Sequence, residues 1–449
     1  MMIAQDIRRL WRHIRERRRK QLIFLLMLMV LTAFAEVLSI GAVLPFLGVL
    51  VDPGRIFNNP TIKPFLEFLE LQSPNELVMP LALSFGAAAI IAGMMRLLLL
   101  KMSNRLVFAI GGELSVSIYQ QTLFQPYSVH ILRNSSEVIS GNISKISNVI
   151  YGIILPLTTF LSSCIILIIC ALTLLTINPF ALALVVSGFG IIYGVLISRV
   201  RRHVKASGDT IAHQSTQVLK VMQEGLGGIR DILIDGSQKT FCEIYSQADS
   251  ALRNAQESVQ YIANSPRYLI EALGMMLIAG IAYFFTVQAD DKMVAIPVLG
   301  ALALGAQRLL PLLQQSYASW SVLQGTHSSL RDVLILLDQP ISEFTCHSQV
   351  EPMAFRNTLS LRNVSFRYSN DSPWVLRDIT VDIPWGSRVG LIGATGCGKS
   401  TLLDILMGLL EPTDGAVIID GTPINRRNIR GWQSHIAHVP QNIFLSDAS

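Results

Sequence analysis

Residues 393–401 read Gly393-Ala-Thr-Gly-Cys-Gly-Lys-Ser-Thr401, and this stretch predicts the type of domain in the C-terminal part of the chain. It fits the pattern G-x-x-x-x-G-K-[ST], which at average composition would arise in such a chain with a chance on the order of a per cent. Glycines let backbone N–H groups converge on phosphate oxygens, and a helix N-terminus adds partial positive charge. The stretch therefore predicts a phosphate-binding loop. The alternative interpretation is a glycine-rich turn that binds no ligand.

The flanks of this loop supply the context that the pattern requires. Residues 388–392 form an apolar run that predicts a strand, and residues 399–410 predict a helix with leucines on one face. Strand, glycine loop and helix is the order in which the motif operates. Lys399 is expected to hold the β- and γ-phosphates of ATP, and the Ser400 hydroxyl to ligate Mg²⁺. The loop residues expected to contact the nucleotide are Gly393, Ala394, Thr395, Gly396, Cys397, Gly398, Lys399, Ser400 and Thr401.

The chain as a whole has the composition of a membrane protein. The 449 residues are 51% hydrophobic and only 15% charged, whereas an average soluble domain carries about 25% charged residues. A helix needs about 20 apolar residues to cross the hydrocarbon core. Six apolar blocks qualify or nearly qualify: 21–51, 77–100, 149–177, 180–198, 268–289 and 293–330. The sequence predicts an α-helical membrane domain of six transmembrane helices, followed by an incomplete α/β P-loop NTPase domain.

The placement of basic residues predicts the topology. Eight basic residues and one acid lie between Arg8 and Lys20, directly before the first apolar block. The long connections 101–148 and 199–262 are also basic, while the other connections hold few basic residues. Positive-inside bias predicts a multi-pass inner-membrane protein whose two termini and two long loops lie in the cytoplasm. The run before the first block indicates an anchor on anionic lipid and argues against a nucleic-acid partner.

Domain boundaries follow from these patterns. Residues 1–20 form a basic N-terminal segment, 21–337 the membrane domain, 338–356 a linker, and 357–449 the start of an ATP-binding domain. Two alternating runs, 359–368 and 375–383, predict strands in that last domain.

The loop, its flanks and the six blocks together resemble the ABC transporter superfamily, in the exporter arrangement where the membrane domain precedes the ATPase domain. The resemblance implies that Tyr368, in Val364-Ser-Phe-Arg-Tyr368, stacks on adenine. A strand aromatic that packs in the core is the alternative for this residue. The resemblance also implies that Gln441, in His435-Ile-Ala-His-Val-Pro-Gln441, contacts Mg²⁺ and the γ-phosphate.

The same resemblance implies the mode of assembly. Segments 125–132 and 228–235 correspond to the cytoplasmic helices that dock on the ATPase domains, and two copies would form a homodimer with two ATP sites. The family's signature motif, acidic Mg²⁺ strand and switch histidine lie beyond its conserved glutamine, and the sequence stops at Ser449. We therefore expect a truncated chain that binds ATP, carries no catalytic residue and does not hydrolyse ATP efficiently.

Three arginines in or near the apolar blocks suggest what is carried: Arg96, Arg267 and Arg308. Arginine suits pyrophosphate because its planar fork donates two parallel hydrogen bonds and stays charged. Snorkelling, or pairing with Glu36 or Glu271, is the alternative. Residues 35–47 of the first block are also similar to the first span of bacterial lipid-linked oligosaccharide flippases, which implies a polyprenyl-pyrophosphate-linked saccharide as substrate.

Two further hypotheses remain open on the sequence. One is an exporter of the same build that carries a drug, a peptide or another lipid. The other is a non-transporting membrane fragment, inert or acting by pairing with a complete homologue.

Overall fold

A computed structural model describes residues 2–51, 54, 57, 73–132, 135–177, 179–288, 292–339 and 351–439. The chain divides into two compact units. Unit 1 contains residues 1–119 and 136–338, and unit 2 contains residues 120–135 and 339–449.

Unit 1 is helical throughout its described part. Its helices are α1 (Met2–His13), α2 (Glu16–Gly41), α3 (Val43–Val51), α4 (Val78–Leu123), α6 (Ser135–Ser140), α7 (Ile146–Val149), α8 (Leu155–Ile177), α9 (Pro179–Gly227), α10 (Ile229–Asp235), α11 (Gln238–Asn264), α12 (Pro266–Gln288), α13 (Lys292–Gly325) and α14 (His327–Leu337). The last four residues of α4 and the first residue of α6 belong to unit 2, which also contains α5 (Tyr127–Leu132).

Three helical stretches in the described residues are long and apolar enough to cross a membrane: Glu16–Ser39, Val78–Leu123 and Val138–Thr173. These correspond to the first three predicted blocks. The fourth block lies within α9, the described part of the fifth lies within α12, and the sixth, predicted as one helix over 293–330, is divided at Thr326 between α13 and α14. The helical character predicted for all six blocks is therefore confirmed.

Helix length and helix breaks follow from local chemistry. At 1.5 Å per residue, the 46 residues of α4 measure about 70 Å, more than twice the roughly 30 Å of a hydrocarbon core. The predicted first block is interrupted at Ala42, between α2 and α3. Pro45 explains this break because its ring clashes with the carbonyl four residues earlier, at Gly41.

The core of unit 1 joins its N-terminal helix to its last helix. Leu10 and Ile14 share one buried cluster with Leu330, Val333 and Leu334 of α14. Elsewhere the helix backbones approach closely: a Cβ added at Gly208 on α9 would meet the carbonyl oxygen of Gly325 at the end of α13. Only glycine permits that contact without a backbone shift.

Unit 2 contains a four-stranded antiparallel sheet in the order β2-β1-β3-β4. Its strands are β1 (Thr358–Phe366), β2 (Leu376–Pro384), β3 (Asp414–Ile419) and β4 (Thr422–Pro423), and its further helices are α15 (Lys399–Leu406) and α16 (Ile429–Gln433). The two strands predicted over 359–368 and 375–383 are confirmed as β1 and β2. Leu361, Val364 and Phe366 of β1 pack against Ile405 of α15 in the core of this unit.

Two predictions beside the glycine loop were wrong. Residues 388–392 form no strand, and Ile392 is 99% exposed. A strand requires a hydrogen-bonded neighbour as well as an apolar pattern, and no strand of the described sheet pairs with this segment. The helix predicted to reach residue 410 ends at Leu406 because Gly408 adopts a left-handed conformation, with φ of 67°.

Candidate nucleotide site

The glycine loop turns directly into the N-terminus of α15. Gly396 and Gly398 have φ of 84° and 94°, a region that glycine populates at no steric cost. Gly398 is also the residue that precedes the first turn of the helix. A Cβ on Gly398 would lie 3.1 Å from the carbonyl oxygen of Val375, so the loop packs closely against the start of β2. The predicted order of glycine loop and helix is therefore present without the predicted strand.

Lys399 lies across the mouth of the loop. Its Nζ donates to the carbonyl oxygens of Gly393 at 2.9 Å and Ala394 at 2.8 Å. Cys397 Sγ lies 3.7 Å from the same ammonium group. These two carbonyl groups hold the ammonium group of Lys399 next to the backbone N–H groups of the loop and the N-terminus of α15. Anions are stabilised at such a position.

Tyr368 lies at the edge of this site. Its hydroxyl is 3.1 Å from the hydroxyl of Thr401, which is buried in the first turn of α15. The ring meets Phe366 edge-on, with centroids 5.0 Å apart, and 36% of the residue remains exposed. The structure thus brings Tyr368 to the helix that follows the loop, although the ring also makes a core contact.

Tyr127 and Asp404 are two further titratable groups of this unit that no sequence pattern singled out. Burial raises the pKa of Tyr127 on α5, and the charges of Asp404 and Tyr368 raise it further. Burial also raises the pKa of Asp404, which the charge of His438 opposes. Tyr127 and Tyr368 are far apart in sequence, so no local pattern could pair them. The only available signal was that Tyr127 falls within the predicted docking segment 125–132.

The other predicted site residues are not part of this group. Gln441 lies outside the described residues, as does the side chain of Arg308. Arg96 forms an ion pair with Glu36, which is 1% exposed, so Arg96 has the alternative partner considered above. Arg267 is exposed, and its carbonyl oxygen accepts a hydrogen bond from Gln314 at 3.5 Å. Arg96 and Arg267 thus each have a described contact of their own, and a shared role of the three arginines toward a substrate stays a prediction.

The chemistry of these groups fits a nucleotide with its Mg²⁺. Ser400 is exposed at the start of α15, where a hydroxyl oxygen can serve as a ligand of a hard cation. A Cβ added at Gly396 would meet nothing within 4 Å, which leaves the backbone accessible to phosphate oxygens. Within the ranges that the structure describes, no cluster of three His, Cys, Asp or Glu side chains could hold a metal ion by itself. Phosphate oxygens would have to complete the coordination of Mg²⁺ here.

Two family profiles match the chain. The profile described as "ABC transporter transmembrane region" matches residues 21–306. The profile described as "ABC transporter" matches residues 376–449, which include the glycine loop and α15.

Curated relatives align with the chain at low identity. An ATP-dependent lipid A-core flippase of Ralstonia nicotianae is 20% identical over 336 residues, 74% of this chain and 56% of that protein. The glutathione/L-cysteine transport system ATP-binding/permease protein CydC of Bacillus subtilis is 26% identical over 225 residues, 50% of this chain and 38% of that protein. The chain thus spans about half the length of these relatives.

A solved structure of a bacterial Atm1-family ABC exporter with ATP bound matches the fold. The TM-score is 0.68 at 16% identity, over 92% of this chain and 70% of that chain. At this identity the likeness shows the fold and does not transfer a substrate.

Proposed function

Because the chain belongs to the ABC transporter family, with the transmembrane region N-terminal to the ATP-binding region, we propose that it acts as an ATP-driven exporter that flips a lipid-linked saccharide. The observation that carries the proposal is the glycine loop. Its left-handed glycines and Lys399 stand at the N-terminus of α15, in the same chain as a membrane-spanning helical domain.

Each loop residue has a proposed role toward the nucleotide. Backbone N–H groups of residues 393–398 and Lys399 would bind and orient the phosphates, and the hydroxyl of Ser400 would ligate the cation. Bound Mg²⁺ neutralises part of the triphosphate charge. Tyr368 orients the adenine by stacking, and Gln441 is proposed to contact Mg²⁺ and the γ-phosphate. ATP can drive transport only through different affinities for two conformations of the protein.

The proposed substrate is a polyprenyl-pyrophosphate-linked saccharide. Support comes from the arginines Arg96, Arg267 and Arg308, and from relatives named as lipid A-core flippases, which act on a lipid. The Arg96–Glu36 pair weakens the case for Arg96 as a substrate residue, because that guanidinium already has a carboxylate partner. Arg267, which is exposed, becomes the stronger of the two described candidates.

The assembly is proposed to be a homodimer in the inner membrane with both termini cytoplasmic. The alternative assembly is a pair with a complete homologue. The family resemblance implies that two chains build each ATP site, and either pairing would supply the second chain. Crosslinking in membranes, followed by mass measurement, distinguishes a dimer of this chain from a mixed pair.

A two-stage experiment tests the function. Binding of a fluorescent ATP analogue to the purified chain with Mg²⁺ should be lost, about tenfold or more, in Lys399→Ala, because two charged phosphate contacts disappear. The matched control Lys239→Ala removes an exposed lysine of α11 and should bind as wild type. Equal binding by wild type and Lys399→Ala would refute the nucleotide site.

The second stage addresses the substrate. The protein is co-reconstituted in vesicles with a homologue that carries the signature motif and the acidic Mg²⁺ strand, a fluorescent polyprenyl-pyrophosphate disaccharide is added, and ATP-dependent movement between leaflets is followed. Arg267→Gln should slow movement of this lipid without changing ATP-analogue binding, whereas Arg253→Gln on α11 should not. Equal movement of a lipid without pyrophosphate would favour an exporter of other lipids, which the lipid A-core flippase relatives support.

A further inference from the structure

Pro156 interrupts the hydrogen-bond pattern of the helical stretch that leads into α8. Proline has no backbone N–H, so the carbonyl of Gly152, four residues earlier, cannot accept the usual α-helical hydrogen bond. The proline ring also crowds that carbonyl. Residues Ile150–Ile154 form a π-helical turn instead, in which the N–H of Leu155 donates to the carbonyl oxygen of Ile150. Turns of this kind are rare, and they frequently lie at functional positions.

The hydroxyl of Thr326 supplies a donor to this carbonyl. Its Oγ1 lies 2.7 Å from the carbonyl oxygen of Gly152. A Cβ added at Gly152 would overlap the methyl group of Thr326, so glycine is the residue that admits the threonine here. Gly152 and Pro156 together therefore create a site on the π-helical turn that a hydroxyl-bearing side chain fills.

Thr326 is also the bend between α13 and α14. Its φ of −109° and ψ of 2° depart from the values of an α-helix. Helical hydrogen bonds nevertheless continue across it, because Thr326 N–H donates to Val322 at 3.0 Å and Leu330 N–H donates to Thr326 at 3.3 Å. The helices α13 and α14 are therefore one hydrogen-bonded rod that is bent at a single residue.

One hydroxyl proton serves two acceptors at this bend. The Oγ1 of Thr326 lies 2.8 Å from the carbonyl oxygen of Val322 and 2.7 Å from that of Gly152. A threonine hydroxyl has a single hydrogen to donate. Donation to Val322, four residues earlier, is the local bond that bends helices, whereas donation to Gly152 ties the bend to the π-helical turn. The contact therefore has two settings.

The residues on either side of Thr326 connect the bend to other helices of unit 1. The side chains of residues 327–329 each contact a different helix. Their partners are, in order, Asp6 of α1, Asp209 of α9 and Asn148 of α7. On the other side, the carbonyl oxygen of Gly325 lies where a Cβ on Gly208 of α9 would collide with it. A change of setting at Thr326 thus reaches α1, α7 and α9 as well as α14.

We propose that Thr326 is a latch between the α13–α14 bend and the π-helical turn. In the latched setting its hydroxyl donates to the carbonyl of Gly152, which Pro156 deprives of its helical donor. In the released setting the hydrogen bond passes to Val322, and α14 moves relative to the turn. The latch belongs to unit 1, and its operation requires neither a nucleotide nor a particular substrate.

Hydrogen exchange of the full chain in lipid nanodiscs tests the latch. Thr326→Val removes the hydroxyl and keeps the branched shape. Exchange in residues 150–154 and 327–337 should become about fivefold faster or more, because a buried acceptor loses its donor. Thr326→Ser keeps the hydroxyl and should stay within about twofold of wild type. The matched control Thr159→Val removes a hydroxyl that donates to the Leu155 carbonyl of its own helix, and both segments should exchange as in wild type.

A variant of Pro156 separates a latch from ordinary packing. Pro156→Ala restores an N–H that can donate to the Gly152 carbonyl, so Thr326→Val should have little effect in that background. The four proteins form a double-mutant cycle. Gly152→Ala should act like Thr326→Val because its methyl group displaces the threonine. Gly112→Ala, on α4, is its control because an added Cβ there meets nothing within 4 Å.

Three outcomes would overturn the latch. Equal acceleration by Thr326→Val with and without Pro156 would show that the freed carbonyl is not its partner. Equal acceleration by Thr326→Ser and Thr326→Val would show that packing, and not the hydroxyl, holds the bend. Acceleration confined to residues 150–154 would show that α14 is not released. These readouts use neither ATP binding nor lipid movement, so they remain decisive if the proposed flippase function fails.

Discussion

At the scale of single residues, the phosphate loop depends on positions where a side chain would not fit. Gly398 combines a left-handed backbone with close approach to Val375, and either feature alone would favour glycine. Cys397 between Gly396 and Gly398 faces no such restriction, although a Cβ on Gly393 would lie 2.7 Å from its sulfur. The motif therefore specifies backbone shape at its glycines and charge at Lys399.

Tyr368 provides a test of adenine stacking against simple core packing. Tyr368→Ala should weaken ATP binding about fivefold or more, since stacking of a base on an aromatic ring contributes roughly 1–3 kcal/mol. Tyr368→Phe loses only the Thr401 hydrogen bond and should bind ATP within about twofold of wild type. Tripolyphosphate, which has no base, serves as the control ligand in the same titration calorimetry. If Tyr368→Ala weakened both ligands equally, the ring would be acting through packing alone.

Asp420 provides a pH prediction. Its carboxylate accepts backbone hydrogen bonds from Thr358, Arg356 and Asn357, at 2.8, 2.6 and 2.9 Å. The bonds from Thr358 and Arg356 are the main causes that lower the pKa of Asp420. A lowered pKa in the folded state stabilises the fold above the ordinary aspartate value of about 3.9, and this contribution disappears as pH falls through the lowered pKa.

The expected result is faster exchange of the amides of residues 356–358 in Asp420→Asn than in wild type at neutral pH. As the solution is acidified below the ordinary aspartate range, the two proteins should converge after correction for intrinsic exchange. Asp371→Asn, an exposed aspartate in the same unit, is the matched control and should exchange as wild type. A difference that persisted unchanged in acid would contradict the assigned role of the carboxylate.

At the scale of elements, the helices of unit 1 are connected by polar contacts between positions distant in sequence. Lys145, the last residue of the π-helical stretch Gly141–Lys145 before α7, lies 2.6 Å from Asp332 on α14. Ser163 on α8 donates to Gln315 on α13 at 3.1 Å. Thr326 donates to the carbonyl oxygen of Gly152 at 2.7 Å. Each contact satisfies a polar group that would otherwise be costly in an apolar setting.

The Arg96–Glu36 pair joins α4 to α2 and makes an energetic prediction. Glu36 is almost fully buried, so Arg96→Gln should lower the free energy of unfolding by about 1–3 kcal/mol, less than a fully buried pair because the arginine is half exposed. Adding Glu36→Gln should recover much of the loss, since the buried charge is removed too. Thermal unfolding in detergent, arranged as a double-mutant cycle, measures the coupling.

Arg267→Gln is the control for this cycle because its side chain is exposed. It should leave the unfolding temperature unchanged. An Arg96→Gln protein as stable as wild type would show that the pair contributes nothing to folding, and would return Arg96 to the candidates for substrate contact.

At the scale of the whole molecule, the division into units does not follow the chain. Residues 120–135, which include α5, belong with residues 339–449 and not with the helices on either side of them. Tyr127 is electrostatically linked to Asp404 and Tyr368 within this unit. A segment between two membrane-spanning regions is therefore part of the unit that contains the nucleotide site.

This grouping predicts a response of α5 to nucleotide. Saturating MgATP should slow hydrogen exchange in residues 120–132 together with the glycine loop, because a ligand at one hundred times its Kd stabilises the bound unit by about 2.7 kcal/mol. The Lys399→Ala protein is the reference and should show no change. Protection restricted to the glycine loop, with α5 unaffected, would contradict the grouping.

Much of the architecture was predictable because it is local. Runs of about 20 apolar residues require helices in a bilayer, where backbone groups must bond within their own segment. The glycine pattern predicted the loop and the start of α15, and alternating residues predicted β1 and β2. For Arg96, the sequence offered Glu36 and Glu271 as possible carboxylate partners and did not choose between them. Residues 388–392 were wrongly predicted as a strand.

The membrane-crossing helices and the phosphate-binding loop could be predicted from local sequence, since both properties depend on neighbours within one helix or one turn. Three contacts became visible only in the folded chain: Arg96 pairs with Glu36, Tyr127 interacts with Tyr368, and α1 packs on α14. Those contacts join residues far apart in the chain. Hydrogen bonds and ion pairs act over a few ångströms of space, and separation along the sequence does not specify that distance.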